Sequence, residues 1–157
     1  MLNKKSKRRL ALAAIAVLFA LNLAFGPLNV AWHNRQLKKA LTAVDTPTVS
    51  LKAIVPFAWD AVYTFEPYLS KAEMAEIIGF KSGALRETVS EGMTQLVFVK
   101  GKSVVASVCG YPDNLGYSVW LVNWDGASAK LAFADDAVFS VEKDDGIVRL
   151  RHIPGNA

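Results

Sequence analysis

Apolar and polar positions along this chain follow three regimes, and each predicts a different element. From Leu10 to Phe25 the residues are apolar without a period, interrupted only by Asn22. Such a run predicts a helix that lacks a polar face. From Leu28 onward the apolar positions Leu28, Trp32, Leu37, Leu41 and Val44 recur at helical spacing, with His33, Asn34, Arg35, Lys38 and Lys39 on the other side. That spacing predicts an amphipathic helix. Asp45-Thr46-Pro47-Thr48 reads as a linker, because Pro stops a helix and Thr favours extended chain. From Phe57 the period becomes two: Phe57, Trp59, Ala61, Tyr63 and Phe65 share one face, and Asp60, Thr64 and Glu66 share the other with Val62. This is the pattern of a half-buried strand with an aromatic inner face.

Downstream, local signals place the remaining elements. Ser70 and Glu73 form a Ser-x-x-Glu capping box ahead of Met74, Ile77 and Ile78, and Gly79 supplies the stop, so a helix is expected over 70–78. Residues 82–92 are read as a short second helix or a loop. Thr94–Lys100 and Lys102–Cys109 flank Gly101 as a hairpin. Tyr117–Asn123 and Ala129–Phe133 read as further strands, and Val138–Glu142 with Ile147–His152 as a final hairpin around Asp144-Asp145-Gly146. Segregated helices followed by antiparallel strands indicate an α+β domain, with one or two helices covering an antiparallel sheet.

Charge changes the reading of the N-terminal run. The first 44 residues carry eight cations and no acid, whereas the rest carry ten cations against fourteen acids. Lys4, Lys5, Lys7, Arg8 and Arg9 precede the apolar run, an order that orients a membrane span with its N-terminus inside. The run is sixteen residues long, short of the ~20 needed to cross the hydrocarbon core. Extension through Ala31 completes a span over 10–31, and Trp32 falls where interfacial aromatics sit. A cleaved secretory signal has the same beginning, but no good cleavage site follows, so an uncleaved signal anchor is favoured. The expected organisation is therefore a basic cytoplasmic N-terminus over 1–9, a transmembrane helix over 10–31, a juxtamembrane stalk over 32–50 and an extracytoplasmic domain over 51–157. The chain would be a single-pass protein of the cytoplasmic membrane. The acidic globular part would repel phosphate backbones, which excludes nucleic acid as a partner.

Candidate chemistry is sparse. His33 and His152 are the only histidines, and Cys109 is the only cysteine. Neither a metal site nor a catalytic pair is expected from them, and no cofactor motif is present. Cys109 reads as a buried, inert thiol, with a reactive or intermolecular thiol as the alternative. Asp135-Asp136 and Asp144-Asp145 read as turn residues. Asp60 and Glu66 are the one carboxylate pair considered for hydrolysis, although six positions along a strand separate them by ~20 Å. Tyr111, Tyr117 and Trp124 lie in or beside loops; core or local turn packing is the first reading of them, and a recognition surface, where exposed aromatics anchor binding, is the second.

The segment Trp59-Asp60-Ala61-Val62-Tyr63-Thr64-Phe65-Glu66-Pro67-Tyr68, followed by Ser70-Lys71-Ala72-Glu73 and a short helix ending at Ile78-Gly79-Phe80, resembles a W-D-x-V-Y-x-F-x-P-Y pattern. That pattern occurs in small, largely uncharacterised bacterial proteins with an N-terminal signal, anchor or lipid-attachment site. The resemblance implies an extracytoplasmic bacterial domain, and it implies no activity and no functional residue. The lipid-attachment cysteine of some such proteins is missing here. The leading expectation is a protein-interaction module, either a subunit of an envelope complex or an immunity-type protein. A small-ligand or glycan binder using Tyr111, Tyr117 and Trp124 is the alternative, and a carboxylate hydrolase using Asp60 or Glu66 is a third.

Overall fold

A computed structural model describes residues 4–155. The apolar run and its basic leader form one helix, α1 (Lys4–Phe25), and a second helix, α2 (Pro27–Thr42), follows after a single residue. The break is local chemistry. Gly26 is extended (φ −97°, ψ −176°) and Pro27 occupies the first helical turn, where its fixed φ and missing N–H cost nothing. The two helices are therefore separate elements, and the extension that would have lengthened the apolar run belongs to the second one.

This overturns the membrane reading. With the helix ending at Phe25, the apolar stretch is sixteen residues, or ~24 Å at 1.5 Å per residue against ~30 Å of hydrocarbon. Among the described residues no helix is long and apolar enough to cross a membrane. The transmembrane helix over 10–31, the single-pass signal anchor and the placement in the cytoplasmic membrane are corrected accordingly. Lys4, Lys5, Lys7, Arg8, Arg9 and Trp32 lose the span they were expected to orient. The side chains of Lys4 and Lys5 lie outside the described ones, and Lys7, Arg8, Arg9 and Trp32 are exposed.

The predicted stalk is also corrected. Leu37 and Leu41 of α2 are fully buried, and Val44 nearly so, in the main core. The helical period is real, and its apolar face meets the domain's own sheets. Burying each leucine stabilises by about 1.5–3 kcal/mol. The linker contributes too: Thr48–Ser50 forms a short strand, β1. Ser50 then caps the one-turn helix α3 (Leu51–Ile54), its hydroxyl accepting from the Lys52 amide.

The fold is α+β with two sheets and not one. Strands β2 (Ala61–Phe65), β3 (Thr94–Lys100), β4 (Ser103–Gly110), β6 (Trp124–Asp125) and β7 (Ser128–Ala132) form an antiparallel sheet in the order β4-β3-β2-β7-β6. Strands β5 (Tyr117–Trp120), β8 (Val138–Asp144) and β9 (Ile147–Ile153) join β1 in the order β1-β8-β9-β5, and β5 runs parallel to β9. The β8–β9 hairpin turns through Asp145 (φ 48°) and Gly146 (φ 78°), the two left-handed residues of a type I′ turn.

The five-stranded sheet is buried on both faces, which is why β3 is enclosed along its length up to Lys100. One face shares a core with α2 and the second sheet, through Val62, Phe98, Leu37, Leu41, Phe139 and Leu150. The other packs Tyr63, Phe65 and Val97 against Met74 of α4 (Lys71–Ile78) and Leu85 of the following loop. In α4 the expected capping box forms: the Ser70 hydroxyl accepts from the Glu73 amide, the Glu73 carboxylate accepts from the Ser70 amide, and Gly79 closes the helix at φ 84°. Residues 82–92 form no second helix.

Helix α2 also covers an open sheet edge. Strand β4 is the end strand of its sheet and carries a bulge, since Phe98 pairs with Ala106 but Val99 pairs with Val104. The bulge leaves Val105 unpaired. His33 Nδ1 donates to the Val105 carbonyl at 2.8 Å, and its ring stacks on Phe57 at 4.4 Å. Asn34 acts as a surrogate strand residue: its Nδ2 donates to the Ser107 carbonyl at 2.7 Å, and its Oδ1 accepts from the Ser107 amide at 2.9 Å. Two side chains of one helix thus satisfy three backbone groups of an edge that would otherwise template further pairing.

Candidate functional site

Tyr111, Tyr117 and Trp124 occupy different settings. Tyr117 begins β5 and is 1 % exposed, with burial pushing its phenol well above the ordinary range. It belongs to the core. Tyr111 caps the one-turn helix α5 (Pro112–Leu115) and is exposed. Trp124, 48 % exposed, opens the two-residue end strand β6. The trio proposed for ligand or glycan stacking is therefore not assembled.

A different aromatic takes the place of Tyr117. Trp120, the last residue of β5, is 60 % exposed. It lines one groove with Trp124, at the end where the two sheets meet. The groove encloses about 370 Å³ and runs over Phe65, Pro67, Met93 and Pro112. Tyr117 and Val119 point into the core and Trp120 is out of phase with them; Ser118 shares its side and is buried, so the exposure of Trp120 comes from its place at the strand's end. Trp120 ends a strand and lies in no loop, so loop position does not mark it.

The groove has a strained neighbour. Tyr68 follows Pro67 and adopts φ 70°, a conformation unusual for a bulky residue. It is held there by Thr88, whose carbonyl and hydroxyl both accept from the Tyr68 amide, at 3.1 and 3.3 Å. Thr88 itself lines the groove. Arg149 is the cation at this end, and it sits 3.7 Å from the Asp144 carboxylate.

The other candidate residues have structural work. Asp60 is exposed and braces the β3–β4 turn: its Oδ2 accepts from the Gly101 amide at 2.7 Å, and Lys100 lies 3.4 Å from Oδ1. The Gly101 amide, with Lys100 adding to it, holds its carboxyl below the usual range, the opposite of what a general acid requires. Glu66 is exposed just beyond β2, and neither it nor Asp60 lines the groove. Asp135 accepts from the Ala132 amide and Asp136 from the Ser50 hydroxyl, both at 2.7 Å. Among the described residues no cluster of His, Cys, Asp or Glu can hold a metal ion.

Cys109 is half-buried with Sγ 3.7 Å from the Glu87 carbonyl, and burial raises its thiol against the opposing pull of Arg86. His33 holds the β4 edge, and His152 is buried beside Phe139. The two histidines serve different elements and form no pair. Compared with known proteins, the chain matches no family model, no curated sequence and no solved structure, so its own geometry carries the functional argument.

Proposed function

We propose that this protein is an interaction module that presents the Trp120–Trp124 groove to an extended segment of a partner protein. The observation that carries this reading is the exposure of two indoles on one groove with proline and methionine walls. Exposed Trp is an uncommon surface residue and a frequent anchor of protein interfaces. Prolines bound the groove on two sides, and their fixed φ lowers the entropy lost when a surface must hold its shape. Among the described residues that line the groove there is no Asp, Glu, Cys or His.

Panning a displayed peptide library against the full chain tests the proposal. Peptides recovered on the wild type are expected to share apolar or aromatic anchors. They should lose affinity by about tenfold or more on Trp120→Ala or Trp124→Ala, as truncated anchor residues usually do. Both side chains are largely exposed, so unfolding temperatures should stay close to wild type. Peptides that bind both variants as well as the wild type would sink the reading.

A further inference from the structure

A second concavity lies at the β4 edge and shares no residue with the aromatic groove. It encloses about 550 Å³ between the start of α2, the loop after α4 and the outer side of β4. Its charge is one-sided. Lys81 and Arg86 come from the loop, Lys102 comes from the β3–β4 turn, and no carboxylate lines it. All three cations are exposed, and none forms an ion pair with a carboxylate among the described residues. The positive end of the α2 dipole opens here, with no acid in its first turn and no side-chain cap at Gly26. Like-charged groups held together without a counter-charge repel one another, and a bound anion relieves that repulsion.

A further, independent feature points to a ligand. Ser107 lines the cleft, is only 3 % exposed, and its Oγ has no hydrogen-bond partner. Its backbone amide and carbonyl are both bonded to Asn34, which fixes the strand position that carries the hydroxyl. The strand phase sets it beside Val104 on the outer face, opposite Ala106 and Val108 in the main core. A buried hydroxyl left unpaired costs free energy that a bound acceptor would return. Val30 and Phe80 supply an apolar wall beside the polar groups.

We propose that this cleft binds a small organic phosphate. Arg86, Lys81 and Lys102 would neutralise the phosphoryl oxygens, the Ser107 hydroxyl would donate to one of them, and the organic body would lie against Val30 and Phe80. Three cations around one site suit a dianion better than a monocarboxylate. Arg supplies a planar fork for two oxygens, and each Lys supplies a point charge.

Calorimetric titration of the full chain with glycerol 3-phosphate, and separately with inorganic phosphate, tests this. Saturable one-to-one binding is expected, tighter for glycerol 3-phosphate, and weakening as salt rises. Arg86→Ala and Lys102→Ala should each weaken it by about tenfold, the scale of a lost charge-assisted hydrogen bond. Ser107→Ala should weaken binding by at least about threefold without lowering the unfolding temperature, since it deletes an unpaired group. Lys39→Ala, an exposed cation of α2 outside the cleft, should leave binding unchanged. The proposal is overturned if neither probe saturates. It is equally overturned if Lys39→Ala weakens binding as much as Arg86→Ala does, or if the cleft variants bind like the wild type.

Discussion

At the scale of single residues, burial opposes the ionisation of His152. His152 is buried against Phe139, and burial lowers its pKa from 6.5, with Asp135 pulling the other way. A histidine with a lowered folded pKa takes up its proton more readily in the unfolded chain. Stability is therefore intact above 6.5 and falls as pH drops below it, the loss being complete once pH passes the folded value. Asp45, Asp60 and Glu73 behave oppositely: their folded pKa values are lowered by Lys143, by Gly101 and by Ser70, respectively. Their stabilisation persists until pH falls to the unfolded carboxylate values of 3.8–4.5 and below. The contribution of His152 falls in the interval between those ranges. Urea midpoints should fall between pH 7 and pH 5, and His152→Gln should flatten that slope; an unchanged slope in the variant would locate the dependence elsewhere. Tyr68 offers a second residue-scale test. At φ 70° it strains the left-handed region, and Tyr68→Gly should stabilise by about 0.5–1 kcal/mol in equilibrium unfolding.

At the scale of elements, the decisive one is α2, because it serves the core and an open edge together. Leu37→Ala or Leu41→Ala should cost about 2–5 kcal/mol, as large-to-small changes at fully buried sites do. Asn34→Ala should cost about 1–3 kcal/mol, because it leaves the amide and carbonyl of Ser107 unpaired on a part-buried edge. Denaturation curves separate these effects. If Asn34→Ala behaved like an exposed surface change, the edge-covering role would be wrong. The same helix shows what one chain reveals and what it conceals. The spacing of Leu37, Leu41 and Val44 was readable, because period belongs to the helix itself. What covers that stripe was not readable, because lipid and a sheet folded from distant residues present the same apolar partner. Elements closed by short-range chemistry were legible in the same way: the Ser70–Glu73 box, the Gly101 turn and the Asp145-Gly146 turn. Elements defined by remote pairing were not. Thr48–Ser50 becomes a strand only because Val138–Ser140 lies beside it, and the parallel pairing of β5 with β9 has no local signature. Tyr117 shows the same limit: beside a loop in sequence, it starts an end strand whose side chain faces the main core in space.

At the scale of the whole molecule, two surfaces on separate residues frame the functional case, the aromatic groove where the sheets meet and the basic cleft at the β4 edge. Only the first had a foothold in the sequence, through Trp124. The second depends on Lys81, Arg86, Lys102 and Ser107 converging from three segments, and no spacing rule joins them. The helix α1 stands apart from both. Its packing neighbour is α2, and Leu10, Leu12, Ile15, Leu18 and Phe19 are exposed along it. A contiguous apolar surface of that kind drives association in water. The core, by contrast, begins with Leu37. Two outcomes follow for a chain comprising residues 27–157. Its thermal midpoint should lie within about 3 °C of the full chain's, the shift that roughly 1 kcal/mol produces in a domain of this size. It should also sediment as a monomer where the full chain associates. A chain that starts instead at residue 45 loses Leu37, Leu41 and the clamp on β4, and it should lack a cooperative transition altogether. If residues 45–157 melted as sharply as 27–157, α2 would be an accessory to the fold, and the β4 edge would have to be satisfied by something other than His33 and Asn34.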